Sequence, residues 1–255
     1  MNITAIIPTK NRHELLKRAI NSVIKQTESP NEIIVIDGSV NLNTVSKNKM
    51  LCDKYGFNYI KQDYNNYNGV SGARNQAVLR ARNEYISFLD DDDVWLENYL
   101  DRVKREIDNG YNLIFTGIYK KKGKEIFEYK IPPKNITIDD LLVKNPGIQG
   151  SNVTVKKAFF NQIHGFDDLN FSHIFEDNDF MLRALFHPKL KYKSIPEYLI
   201  IYYSHTGNRL SMTKTPDQRI GIEHFYQRYK IYMSEVQREE FIKRAMKLWQ
   251  TKIIK

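Results

Sequence analysis

Through residues 3–89, short β-branched runs alternate with longer stretches of helical periodicity, and that alternation admits few folds. Ile3–Pro8 reads as a strand, and Arg12–Gln26 as a helix carrying Leu15, Leu16, Ala19, Ile20 and Val23 on one face. Glu32–Asp37 is a continuous apolar run between two acids, the pattern of a parallel strand covered on both faces. A helix over Thr44–Tyr55, a short strand Asn58–Lys61 and a glycine-bearing turn Gly69–Gly72 come next. A helix Ala73–Arg82 and a strand Tyr85–Leu89 complete the series. Such alternation predicts a parallel sheet with right-handed crossovers. Ligands of these sheets bind outside the carboxyl ends of the strands. Position alone therefore nominates three segments for one cleft: Pro8–Asn11, Asp37–Ser39 and Asp90–Asp93.

The second half is less regular. A helix is expected over Leu96–Asp108, a strand over Leu113–Tyr119, and a solvated lysine-rich turn at Lys120–Lys124. Strand Asn152–Val155, a short helix, a loop, a helix from about Glu176 and strand Tyr198–Tyr203 lead to two helices from Pro216 onward. A chain of 255 residues, 41% hydrophobic and 27% charged, suits one large α/β domain with an appendage. The single cysteine, Cys52, excludes an internal disulfide and a multi-cysteine metal cage, and points to a reducing compartment. No stretch approaches the roughly 20 apolar residues that span a bilayer. The N-terminus opens directly in strand-like sequence, so a cytoplasmic protein is expected.

Four consecutive carboxylates, Asp90–Asp93, follow the apolar Ile86–Leu89 and repel one another unless a cation sits among them. One reading is a metal–diphosphate clamp, because manganese and magnesium take oxygen ligands and keep positions open for phosphates. A second reading makes the acids an N-cap for the helix at Leu96, with Asp93 placed for that task. A third is a phosphatase of the haloacid-dehalogenase type, with Asp90 as nucleophile. That element normally opens its domain, whereas three strand-like segments precede it here. A calcium loop of the EF-hand type fails for want of glycine at its sixth position and glutamate at its twelfth.

Taken in order, the segments across residues 1–205 resemble family-2 glycosyltransferases with the GT-A fold. Ile6–Arg12 resembles the opening strand and nucleotide-contacting turn, and Glu32–Ser39 the second strand with its aspartate. Gly72–Ala77 resembles the helix start before the Asp-x-Asp motif, and Tyr85–Asp93 that motif itself. His164–Asp167 and Glu176–Asp179 resemble the acceptor-side loop and the Glu-Asp catalytic motif. The sequence departs from the family at Gly38, where a second aspartate is common.

The resemblance implies a Rossmann-like, mostly parallel central sheet flanked by helices, with a C-terminal helical extension. It implies a catalytic domain over 1–205, with a nucleotide-sugar half to about 95 and an acceptor half from about 96, and a tail over 206–255. Asp92 would ligate Mn2+ or Mg2+, with Asp90 holding the ribose or a metal-bound water, and His205 a further candidate near the metal. Pro8, Thr9, Asn11, Arg12, Asp37, Arg74 and Asp91 would surround the nucleotide. Asp177 would be the general base, with Glu176 orienting it. Taken alone, Glu176-Asp177 also reads as an acidic first helical turn. Trp95 reads as core packing, with stacking on a sugar as the alternative. The implied reaction is inverting transfer from a nucleotide-diphosphate sugar, a UDP-linked hexose or N-acetylhexosamine, to a saccharide hydroxyl in surface-polysaccharide synthesis.

A net charge of +9 favours anionic partners. From Arg209 to Lys255, eleven Lys/Arg stand against five Asp/Glu, interleaved with Phe225, Tyr226, Tyr229, Phe241 and Trp249. Two readings stay open: amphipathic helices packed on the catalytic domain, or a basic, aromatic surface resting peripherally on the inner face of an anionic membrane, suited to a lipid-linked acceptor. No nucleic-acid partner is expected, because no binding motif accompanies the charge.

Overall fold

The computed structural model describes residues 2–171, 174–204, 216–249 and 253. Its first half follows the expected alternation: β1 (Ile3–Thr9), α1 (His13–Ile24), β2 (Glu32–Asp37), α2 (Leu42–Tyr55), β3 (Asn58–Lys61), α3 (Gly69–Arg80) and β4 (Tyr85–Phe88). Each crossover leaves its strands parallel, in the order β3-β2-β1-β4. All seven residues of β1 are buried because both faces of the strand are covered. Its alternating side chains divide accordingly: Ile6 joins one hydrophobic cluster, whereas Ala5 and Ile7 join the other. Ile34 and Ile36 of β2 likewise part from Val35.

Local signals set the ends of these helices. Asn41 caps α2 by accepting from the Thr44 backbone N–H at 3.0 Å, and Gly56 ends it in the left-handed region at φ 68°. The glycine-bearing stretch expected as a turn before α3 is instead its first turn, which starts at Gly69 behind the N-cap Asn68. Tertiary packing overrides the weak helix propensity of glycine there: Ser71, Gly72 and Ala73 are all buried.

Beyond β4 the sheet becomes mixed. The remaining elements are β5 (Asp93–Trp95), α4 (Tyr99–Asp108), β6 (Leu113–Lys122), β7 (Glu125–Lys130), α5 (Asp139–Leu142), β8 (Val153–Lys156), α6 (Lys157–Gln162), α7 (Glu176–Leu185), β9 (Tyr192–Tyr203), α8 (Pro216–Tyr229) and α9 (Glu235–Arg244). Strand β8 runs antiparallel to both β4 and β6, β6 is parallel to β9, and β5 closes that side antiparallel to β9.

Two expectations are corrected here. Asp93 does not cap α4: it opens β5, pairs with Tyr202, and accepts from the Ser151 hydroxyl, while Asn98 stands at the cap position. The lysines at 120–122 are strand rather than turn, because β6 continues through them and folds back as β7 across Gly123. Trp95 is core, 2% exposed, stacked on Tyr99 with 4.4 Å between centroids, and donating to the Ser151 carbonyl at 2.9 Å.

Helices α8 and α9 pack into the main hydrophobic cluster. Phe225, Tyr226, Tyr229 and Phe241 are buried beside Phe171 and Phe180, each ring contributing roughly 1.5–3 kcal/mol by leaving water. Tyr232, Met246 and Leu248 stay exposed. Among the described residues no helix is long and apolar enough to cross a membrane.

Candidate functional site

A cleft of about 430 Å³ opens at the carboxyl ends of β1, β3 and β4, where a parallel sheet leaves its helices and strands diverging. On one wall it collects Pro8, Thr9 and Arg12; on its floor, Arg74 and Asp90–Asp92; on the far wall, Glu176 and Asp177 from the start of α7. With Lys10, ten residues nominated from sequence thus meet at one place.

The aspartate run divides by direction. Asp91 and Asp93 are buried, 5% and 1% exposed, whereas the Asp90 and Asp92 side chains keep 30% and 17% of their surface. Asp91 accepts from the Thr9 hydroxyl at 2.8 Å and from Arg12 Nη1 at 3.2 Å. Burial, then the Asp92 charge, pushes the Asp91 carboxyl up to about 7 against the pull of Arg12 and Thr9. Arg12 Nη1 also reaches Asp92 at 3.1 Å. Its pKa is raised: burial opposes the charge, but Asp91 and Asp92 outweigh it.

Arg74 lies under the floor, 2% exposed, with Nη2 donating to Asp90 Oδ1 at 2.6 Å. Its Nε and Nη1 are buried with no hydrogen-bond partner among the described residues. Burial works against its charge, yet Asp90, Asp177 and Glu176 together raise its pKa. The guanidinium fits only because residue 150 is glycine: a Cβ there would come within 2.6 Å of Arg74 Cζ.

Asp177 carries the proton affinity of the far wall. Burial, then the Glu176 charge, raises it well above the ordinary carboxylate value, against Arg74 and a backbone N–H from Gly150. Glu176 is raised as well, chiefly by burial. One Asp177 oxygen, Oδ1, is buried with no hydrogen-bond partner among the described residues. A carboxylate that holds a proton this readily, with an unpaired oxygen at a cleft, is suited to accept one from a bound hydroxyl.

Phe175 sets the position of the pair. It caps α7 from the left-handed region at φ 61°, unusual for a bulky residue. Its ring stacks on Phe225 at 4.3 Å and on Phe241 at 5.6 Å, so the tail holds the strained turn. Asp179, one turn on, accepts from Arg183, Arg228 and Tyr229 at 2.7–2.8 Å and ties α7 to α8.

Asn11 and Asp37 lie off the cleft lining, as do Gly38, Ser39 and Asp93 of the nominated segments. Asp37 is fully buried, its oxygens taken by the Ser39 N–H, Asn48 and Tyr59 at 2.7–2.9 Å. Asn11, at φ 57°, holds the loops after β1 and β2 together by donating its N–H to Ser39 and accepting from the Val40 N–H. His205 lies outside the described residues. Lys10, nominated with Pro8–Asn11, also lines the cleft, which further takes in Gln62, Tyr64, Gln149, Tyr202 and Arg244, missed by sequence reading. Gln62 and Tyr64 were within its reach, since both follow β3. Tyr64 and Gln62 together account for Gly38: the Tyr64 hydroxyl and Gln62 Oε1 occupy the space a Cβ at 38 would need, and the hydroxyl donates to the Gly38 carbonyl at 2.8 Å.

Among the described residues no three His, Cys, Asp or Glu side chains gather into a metal cage. Asp90 and Asp92 instead present a sparse, hard-oxygen donor set with exposed faces. That set fits magnesium or manganese, which take one or two carboxylates and complete their shells with phosphates and water.

The sequence profile of Glycosyl transferase family 2 matches residues 4–164. The chain belongs to this family. Family-2 relatives include the Escherichia coli enzyme named UDP-Glc:alpha-D-GlcNAc-diphosphoundecaprenol beta-1,3-glucosyltransferase WfgD, 29% identical over 184 residues, covering 69% of this chain and 71% of WfgD. WcaA of Escherichia coli K12, a putative colanic acid glycosyl transferase, is 27% identical over 89% of this chain and 81% of its own. A Campylobacter jejuni relative, named GalNAc(5)-diNAcBac-PP-undecaprenol beta-1,3-glucosyltransferase, is 27% identical over 72% of this chain and 63% of its own. The GT-A fold is shared with Staphylococcus aureus TarS, solved with UDP-GlcNAc, at a TM-score of 0.69 and 20% identity over 97% of this chain. That comparison covers 73% of the TarS 1-349 chain, and a longer TarS structure is covered over 44% of its length. Membership of family 2 sets aside the phosphatase alternative, and the chain is a glycosyltransferase.

Proposed function

We propose that the protein transfers a hexose or N-acetylhexosamine, with inversion, from a UDP-linked donor to a hydroxyl of a lipid-linked saccharide during surface-polysaccharide synthesis. The observation that carries this reading is the single cleft in which Asp90 and Asp92 face a proton-avid Asp177. The relatives named for undecaprenol-diphosphate acceptors support the acceptor class, and the TarS complex supports the donor class.

In this mechanism Thr9, Arg12 and Arg74 shape the donor pocket, and Asp90 meets the ribose or a water beside it. Asp92, with Asp90 close by, would hold a Mn2+ or Mg2+ ion, whose charge neutralises the departing diphosphate. The acceptor oxygen bonds to the anomeric carbon as the bond from that carbon to the diphosphate oxygen breaks. Asp177 receives the hydroxyl proton, and Glu176 keeps that carboxyl oriented and its proton affinity high. No acid is needed on the leaving side, since charge there is met electrostatically. The basic outer face of the tail, with exposed Met246 and Leu248, is the surface that would rest on an anionic membrane. Calorimetric titration with UDP, GDP and dTDP, with and without manganese, tests the reading. Failure of every nucleotide to bind would sink it.

A further inference from the structure

We propose that Arg244, carried to the cleft by the last turn of α9, is the recognition point for a phosphate of the acceptor. This rests on the glycosyltransfer reading above.

Five carboxylates, Asp90, Asp91, Asp92, Glu176 and Asp177, line the cleft together with five cations, Lys10, Arg12, Arg74, Lys144 and Arg244. A phosphate-bearing acceptor placed beside these carboxylates needs a cation that they have not already neutralised. Arg12 and Arg74 are engaged with aspartates of the floor, and Lys10, 5.0 Å from the centre of the Tyr64 ring, stands on the opposite, donor side after β1. Lys144, on the far wall, is bonded to Glu240 at 2.9 Å. Arg244 forms no ion pair with a described residue, although the Glu240 charge acts on it from one turn earlier in α9. Its Nε is buried and has no hydrogen-bond partner among the described residues. A guanidinium N–H removed from water without a partner is costly, and a phosphate oxygen is the acceptor its planar fork matches best.

Placement assigns the phosphate to the acceptor. Helix α9 lies against the start of α7 and the segment around α5: Phe241 stacks on Phe175, Gln237 donates to Asp139 at 3.0 Å, and Glu240 meets Lys144. Arg244 therefore belongs to the wall that carries Glu176 and Asp177, not to the loops after β1 and β3. Its neighbours Phe241 and Ala245 are buried, 1% and 0% exposed, so the guanidinium hangs from a fixed support.

The test is calorimetric binding of undecyl diphosphate to the full chain saturated with manganese and whichever of UDP, GDP or dTDP binds. Arg244→Ala is expected to weaken that binding roughly ten- to hundredfold, with Arg244→Lys restoring part of it. Nucleotide affinity and melting temperature should stay as in the wild type. Arg244→Gln, which keeps most of the stem, replaces the alanine variant if that one melts early. Equal affinity of wild type and variant for undecyl diphosphate overturns the proposal. So does a parallel loss of nucleotide affinity, which would assign Arg244 to the donor diphosphate. If no nucleotide binds the wild type, the glycosyltransfer reading fails, and the same comparison without nucleotide still decides Arg244.

Discussion

Arg74 Nη2 donates to Asp90 Oδ1 at 2.6 Å beneath the cleft, and the same guanidinium charge bears on Asp177 across it. One buried cation thus serves the floor and the far wall together. Because Arg74 pulls the Asp177 pKa down, its removal should let that pKa climb further. In the proposed reaction Asp177 works deprotonated, so activity should fall as pH drops through its pKa. Arg74→Met should therefore move the acid limb of the kcat/KM profile to higher pH, and Arg74→Lys should move it less. An acid limb that stays in place in Arg74→Met would separate Arg74 from the base.

Donor binding and proton removal should come apart by mutation. Asp177→Asn is expected to leave manganese-dependent UDP affinity within about twofold while lowering kcat by roughly 10²–10⁴. Asp92→Ala should do the reverse at the binding step and weaken UDP only when manganese is present. Near-normal transfer by Asp177→Asn in single-turnover kinetics would move the base elsewhere.

The close approach at Gly38 should be measurable as a coupling. Gly38→Asp forces a Cβ into the Tyr64 hydroxyl and is expected to cost about 1–3 kcal/mol in urea unfolding. In a Tyr64→Ala background the same change should cost less, although the approach of Gln62 Oε1 remains, giving an interaction energy in the double-mutant cycle. Equal costs in both backgrounds would mean that Tyr64 is not what excludes a side chain at 38.

The tail should behave as core. Phe241→Ala, at 1% exposure and in contact with Phe175, Phe225 and Tyr226, should cost roughly 3–5 kcal/mol. Tyr229→Phe removes only one donor to Asp179, which keeps Arg183 and Arg228, and should cost about 1 kcal/mol. Denaturant midpoints decide both values.

Much of the first half, through β4, was legible in the sequence, because its information is local. Continuous apolar strands such as Glu32–Asp37, amphipathic helices and acids at strand ends each announce themselves within a few residues. The second half depends on distant partners. Asp93 read as a cap because nothing nearby reveals that it pairs with Tyr202. Asp37 read as a cleft residue because position cannot show that Asn48 and Tyr59 take its carboxylate. Arg244 could not be seen as a cleft residue until α9 was laid against α7, since the tail's charge pattern fits a solvated face equally well.

The clasp of Phe175 between Phe225 and Phe241 has a consequence for how enzymes of this build can be recombined. A chimera that swaps only α8 and α9 keeps the recipient's turn at Phe175 but loses the rings that hold it left-handed. Acceptor preference should therefore travel between related enzymes only when α7 and the tail are exchanged as one inheritable block.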